Sequence, residues 1–310
     1  VNVIPDSIDL SEYLKEPDPG EKVIAACTMA QRVIDSMCMP AEHTGCVLPW
    51  SKTKHDIRLR PGEVSLWPGI NGHGKSAMTS EVALSLCWQG QRVCIASLEM
   101  KPVKTLSRMV RQAAASHEPQ IPFIRGFHNW TENRLWIYDQ LGMVDPKKMQ
   151  AVIRWCHDQL GIQHFFLDSL MKCVRGDDDY NGQKDFVNSL CTIALDTGMH
   201  IHLIHHAKKM ADERTMPGKF DAKGSSSITD QVDNVFTVWR NKRKEADRQK
   251  GGSGDWSEPD AYLLCDKQRH GEWEGPVKLW YDQQSFRFTQ DATNPPEPYD
   301  IALRQPGEDS

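Results

Sequence analysis

Eight consecutive residues, Gly69, Ile70, Asn71, Gly72, His73, Gly74, Lys75 and Ser76, fit the pattern G-x-x-x-x-G-K-[ST]. Glycines in such a run let main-chain N–H groups turn inward around phosphate oxygens, the lysine reaches the β and γ phosphates, and the hydroxyl is a ligand for Mg²⁺. A helix starting near Lys75, with Ala77 in its first turn, adds the positive end of its dipole. The pattern implies a nucleoside triphosphate, ATP or another NTP or dNTP, cradled by Gly69, Asn71, Gly72, His73, Gly74, Lys75, Ser76 and Ala77. An incidental glycine-rich turn is the competing reading. It is disfavoured because an apolar run at 63–67 and a helical stretch flank the motif as the chemistry requires.

Further residues suit the same chemistry. Glu99 follows a strand ending in Ser97-Leu98, where ligands of open α/β sheets collect, and is a candidate base for an attacking water, with a solvated surface residue as the alternative. The run His164-Phe165-Phe166-Leu167-Asp168 ends a buried strand in a carboxylate suited to a phosphate-bound Mg²⁺, with a simple turn cap as the alternative. His205 and His206 close another strand; no third Cys or His lies at metal-ligand spacing, and His206 is a candidate sensor of the γ-phosphate, with simple loop packing as the alternative. Lys208, Lys209, Arg214, Lys219 and Lys223 outnumber the acids in their loop and fit a phosphate backbone, although such a run is often only a solvated face. A second basic run includes Arg240, Lys242, Arg243, Lys244, Arg248 and Lys250. Lys267 and Arg269 alternate on one side of a late strand with no acidic partner nearby in sequence, and could reach a phosphate on a neighbouring subunit.

These residues need a frame to bring them together. Strands are expected near 63–67, 92–97, 134–139, 163–168, 199–204, 233–239, 260–266, 276–281 and 285–289, and helices near 75–88, 102–116, 146–160 and 183–197. Strand–helix alternation implies an α/β fold with a mostly parallel central sheet flanked by helices, and the closing strands, lacking helices between them, pair antiparallel at one edge. Stretches 172–182, 207–226 and 241–258 read as loops. We expect an N-terminal arm over 1–40, with short helices near 7–16 and 22–39, a main domain over 41–290, and a disordered tail over 291–310 that carries four prolines.

Composition narrows the class. The chain has 310 residues, 39% hydrophobic, and a formal net charge of -5, so the surface as a whole does not attract polyanions and any nucleic-acid contact must be local. No apolar run approaches the roughly 20 residues that span a bilayer. We expect a cytoplasmic protein that does not engage a membrane. Nine scattered cysteines without a C-x-x-C pair suggest buried thiols in a reducing compartment. The first residue is Val1, from which an excised or processed piece is expected.

The order of motifs, 69–76, Ser97-Leu98-Glu99-Met100, Leu167-Asp168, His205-His206 and Lys267-Gln268-Arg269-His270-Gly271, resembles the RecA-type motor domain of DnaB-family replicative helicases, including the helicase halves of phage primase-helicases. His206-Ala207-Lys208 and Trp239-Arg240-Asn241 are nearer the phage type. The likeness covers about 60–290 and implies a RecA-like P-loop NTPase core in a homo-hexameric ring that hydrolyses NTP between subunits and moves 5′ to 3′ on single-stranded DNA. A primase, fused or separate, and a helicase loader would be further partners. It implies that Lys75 and Ser76 contact phosphate and Mg²⁺, Asp168 is the metal carboxylate, Glu99 is the base and His206 is the γ-phosphate sensor. Arg269 would be the trans finger assisted by Lys267, Arg240 and Tyr281 would sandwich the nucleobase, and the loop over 207–223 would bind DNA. The segment near 7–16 would be a linker helix against the next subunit. Asp230 followed by Gln231 stands where the family usually has a glutamine. A recombinase-like or regulatory DNA-dependent ATPase without unwinding activity is the alternative, but it would lack the late Lys-Gln-Arg-x-Gly strand.

Overall fold

Mainly apolar runs at 64–67, 93–96 and 165–167 would expose apolar surface on either side, so strands built from them must be covered on both faces. The computed structural model describes residues 2–15, 26–38, 45–176, 179–206, 226–250 and 257–301, and it has that architecture. Strands β1 (Asn2–Pro5), β2 (Val64–Gly69), β3 (Val93–Ser97), β4 (Leu135–Asp139), β5 (His164–Asp168), β6 (His200–His206) and β7 (Asn234–Arg240) run parallel. Strands β8 (Ala261–Gln268), β9 (Gly275–Asp282) and β10 (Arg287–Thr289) follow antiparallel, giving one sheet in the order β1-β4-β3-β5-β6-β2-β7-β8-β9-β10. The helices are α1 (Ala30–Cys38), α2 (Lys75–Trp88), α3 (Pro102–Ala114), α4 (Ile121–Trp130), α5 (Pro146–Leu160), α6 (Tyr180–Thr197), α7 (Ser226–Thr229) and α8 (Lys242–Gln249).

Strand alternation divides the core between the two faces. Phe166 and Trp67 face Met78, Val82 and Leu86 of α2, with Met109 of α3 and Phe127 of α4 in the same cluster. Phe165, Leu167 and Leu66 belong to the opposite cluster with Val152 of α5 and Phe186 and Leu190 of α6. Among the described residues, no helix is long and apolar enough to cross a membrane. All nine cysteines are free; most are buried or half-buried, but Cys27 and Cys38 are exposed, so the expected burial of thiols does not hold for these two.

Several local expectations are corrected. Residues 7–15 form turns rather than a helix, because Asp9 accepts from the Ser11 N–H (2.9 Å) and the following bonds return to the Leu10 carbonyl. Just before them, β1 adds to the sheet edge beside β4. Helix α4 was not expected because Pro122 and Gly126 interrupt its pattern; Pro122 sits in the first turn, where no N–H is needed. Helix α8 lies within the expected loop over 241–258. It lacks an apolar stripe and is held instead by the Asn241 cap on Lys244 N (3.0 Å) and by Lys244 and Arg248 on Asp260 (3.0 and 2.9 Å). Within the stretch read as a disordered tail, residues 291–301 are described; they are mostly exposed, with Tyr299 and Ile301 half-buried. Tyr299 donates its N–H to Ala113 O (2.8 Å) and meets Trp88 edge-on at 5.1 Å, and Ile301 lies against Gly126.

Candidate nucleotide site

Strand β2 delivers the chain to Gly69 at the carboxyl edge of the sheet, and α2 leaves from Lys75. A Cβ at Gly69 would lie 2.6 Å from Val238 O on β7, so only glycine permits this approach. Gly74 caps α2 with φ 87°, in the left-handed region that side chains disfavour. His73 is fully buried, and its Nδ1 accepts from Arg240 N (3.1 Å), tying the loop to the end of β7. Lys75 is folded into the loop, donating to Gly69 O (2.7 Å) and Ile70 O (3.1 Å). Its burial lowers the ammonium pKa to about 8, opposed by the charges of Asp168 and Glu99. Phosphate oxygens arriving in this loop would give that cation stronger partners than two neutral carbonyls.

The neighbouring strands end at the same edge. Asp168 lies opposite Ser97 on β3 and Ile204 on β6, and Gly69 lies opposite His206. Ser76 Oγ donates to Asp168 Oδ2 at 2.8 Å. Burial raises the Asp168 pKa, against the bond from Ser76 and the charges of His206 and Lys75. A hydroxyl and a carboxylate so close form an all-oxygen donor pair suited to Mg²⁺, which takes few protein ligands and completes its shell with phosphate and water. Among the described residues, no group of three or more His, Cys, Asp or Glu could hold a metal ion on its own.

Glu99 projects just beyond β3. Its Oε1 accepts from Ser169 Oγ (3.2 Å) and lies 3.4 Å from His206 Nε2 and 4.0 Å from Lys172 Nζ. A carboxylate with one oxygen toward His206 and partial exposure can take a proton from water. The expected cluster of Lys75, Ser76, Asp168, Glu99 and His206 is therefore assembled in space from residues up to 131 positions apart in sequence, the span from Lys75 to His206.

One member of this site was missed. Arg108 on α3 lines the same cleft as Ser76, Asp168, Met100 and Thr105, with Nη2 3.0 Å from Met100 Sδ. Burial lowers its pKa, while Asp168 and Tyr281 pull it back up. A signal existed in the i, i+3 spacing of Thr105 and Arg108, which puts two polar groups on one side of a helix beside buried Met109 and Val110.

Arg240 and Tyr281 meet beside the loop, with the guanidinium 4.7 Å from the ring centroid and an ion pair from Arg240 to Glu245 (3.3 Å). They border a cavity of about 620 Å³ also lined by Asn241, Arg248 and Gln284. Lys267 and Arg269 lie elsewhere. Gln268 is opposite Asn234, and Asn234 opposite Ser65, so the carboxyl end of antiparallel β8 is level with the amino end of β2, at the far edge of the sheet from Ser76. Arg269 also has an acidic partner that sequence proximity did not reveal, Asp233 at 2.8 Å, and Lys267 donates to the carbonyls of Thr229, Asp230 and Val232. Lys208, Lys209, Arg214, Lys219 and Lys223 lie outside the described residues.

Comparison with known proteins bears on the fold and family. The family model described as an AAA domain matches residues 55–212. The solved structure titled "ATPase Domain of G40P" superposes with a TM-score of 0.69 at 14% identity, covering 89% of this chain and 99% of that one. A structure of a DnaB-like replicative helicase and its interactions with primase gives a TM-score of 0.68 at 14% identity, covering 87% of this chain and 69% of that one. The fold is thus the RecA-like one of DnaB-like helicase ATPase domains, and the chain belongs to the AAA domain family.

Proposed function

We propose that this chain is the motor of an NTP-hydrolysing replicative DNA helicase, acting as a homo-hexameric ring that moves 5′ to 3′ on single-stranded DNA and unwinds duplex, in the cytoplasm of a bacterial or phage-infected cell. The observation that carries this reading is the convergence of Lys75, Ser76, Asp168, Glu99 and His206 at one sheet edge, while Lys267 and Arg269 stand at the opposite edge of the same chain. One nucleotide then needs two subunits. The triphosphate draws Lys75 Nζ from the carbonyls of Gly69 and Ile70, with the loop N–H groups around it. Ser76 and Asp168 would hold Mg²⁺, which when bound would neutralise charge on the phosphates. Glu99 takes a proton from the water that attacks the γ-phosphorus as the bond to the β-phosphate oxygen breaks and the diphosphate leaves.

Arg108 adds a half-buried cation in the cleft that Asp168 lines, Arg240 and Tyr281 clasp the base, and Arg269 with Lys267 reaches the phosphates of the neighbouring subunit. His206, within reach of Glu99, reports loss of the γ-phosphate to the following segment, where Lys208, Lys209, Arg214, Lys219 and Lys223 bind the DNA backbone. A primase, fused or separate, and a loader are the further partners this reading calls for. Turnover of NTP with and without single-stranded DNA is the test: DNA should stimulate it, and Lys75→Ala should reduce it to background. Full turnover by Lys75→Ala would overturn the reading.

A further inference from the structure

The hairpin that carries Tyr281 is fastened to the phosphate-loop helix by two buried polar side chains. Tyr281 on β9 lies directly opposite Phe288 on β10, and their rings are 5.0 Å apart at 45°. Phe288 donates its N–H to Glu81 Oε2 (2.8 Å), and Arg287 Nε donates to Glu81 Oε1 (3.1 Å). Glu81 is completely buried on α2, six residues after Lys75. Independently, Gln112 on α3, also completely buried, donates from Nε2 both to Ala77 O (2.9 Å) in the first turn of α2 and to Phe286 O (3.0 Å) in the hairpin turn. Phe286 has φ 62°, a left-handed conformation unfavourable for a side chain as bulky as phenylalanine, and Gln112 holds its carbonyl.

A carboxylate is a costly way to join a helix to a strand. Apolar side chains of the same volume would pack there with no desolvation penalty, so a buried ion pair at this junction is better explained by the fixed geometry it imposes. Burial pushes the Glu81 carboxyl up to about 7, against the charge of Arg287 and the Phe288 N–H. Both acceptor oxygens are used, each by a residue of the strand that supports Tyr281.

We propose that Glu81 and Gln112 are positioning residues for the nucleobase: they fix the Tyr281 hairpin relative to the phosphate loop, so that phosphates and base of one nucleotide are held at a set separation. This rests on the nucleotide reading above. The experiment measures dissociation constants of ATP and of inorganic tripolyphosphate, both with Mg²⁺, by calorimetry on the full chain. Glu81→Gln keeps the volume but leaves one acceptor for two donors, and Gln112→Met keeps the volume but donates nothing. Each should weaken ATP about tenfold, within the range a base–aromatic stack contributes, and leave tripolyphosphate within about twofold. In a Tyr281→Ala background, Glu81→Gln should add no further loss. Tripolyphosphate serves as the check on folding. Equal weakening of both ligands, no weakening of either, or a full additional loss in the Tyr281→Ala background would overturn the proposal. If the unaltered protein bound neither ligand, the nucleotide reading itself would fall.

Discussion

Three histidines buried in the sheet should make this protein sensitive to mild acid, and one of them allows the effect to be isolated. Ser65 Oγ donates to His200 Nε2 (2.8 Å), and His200 Nδ1 donates to Arg60 O (2.7 Å), an acceptor only, so the ring is neutral with its proton on Nδ1. Trp67 Nε1 donates to His202 Nδ1 (3.2 Å), and His202 Nε2 then donates to His164 Nδ1 (3.2 Å). A second proton on His200 or His202 would face a donor. Burial lowers all three pKa values, that of His200 to about 4, with Asp233 and the Arg60 carbonyl pulling it up and the Arg60 charge pulling it down. Below an unfolded value of about 6.5 the unfolded chain binds protons that the fold refuses, so stability falls as pH falls. For His200 the loss relative to pH 7.5 is about 1.4 kcal/mol at pH 5.5 and about 2.5 kcal/mol at pH 4.5.

Glu81, raised to about 7, works the other way, because the fold takes up its proton first as pH drops. Total acid lability is therefore a poor readout. His200→Gln offers a better one: its amide oxygen can accept from Ser65 while the bond to Arg60 O is lost, costing about 1 kcal/mol at pH 7.5. Urea unfolding of both proteins at pH 7.5, 6.5, 5.5 and 4.5 should show the deficit of His200→Gln shrinking as pH falls and reversing in sign by about pH 5.5. Carboxylates not coupled to His200 cancel in that difference. A deficit that stays constant across the series would refute the neutral, buried assignment of His200.

Two further outcomes follow from the site and its adjoining loop. Arg108→Ala should reduce maximal NTP turnover by about 10²-fold, as expected on removing a cation beside developing phosphate charge, while Arg108→Lys retains part of it; steady-state kinetics with saturating DNA would measure both. Affinity for single-stranded DNA should fall steeply with salt, and replacing Lys208 or Lys209 by Ala should flatten the log–log slope by about 0.7 for each lost phosphate contact, measured by fluorescence anisotropy. A salt-independent affinity would remove these lysines from the DNA surface.

Residues that act through contiguous sequence were legible. The phosphate loop is one unbroken run between β2 and α2, and Asp168 announced itself as a carboxylate closing a buried strand. Long-range packing hid the rest. Glu81 meets Phe288 across 207 residues, and in sequence it is one more charge on a helix. Arg108 carries no motif of its own, and only the fold brings it to the cleft that Asp168 lines. Strand β1 buries only Ile4 of its four residues, too little for an alternation to register, and it exists because β4 offers a free edge. The charged helix α8 has no apolar period at all and depends on Asp260, brought from the start of β8. Tyr299 and Ile301 were lost in the composition of a proline-rich stretch, although each packs against the main domain.

On the proposed function, the catalytic unit is shared between subunits, with Lys75 supplied by one and Arg269 by the next. Lys75→Ala and Arg269→Ala proteins should each be inactive alone in DNA-stimulated NTP turnover. Mixed in equal amounts and allowed to exchange, they should regain roughly a quarter of the activity, because that share of junctions pairs an intact Lys75 with an intact Arg269. A mixture as silent as its components, or an Arg269→Ala protein that turns over NTP at the full rate, would contradict it.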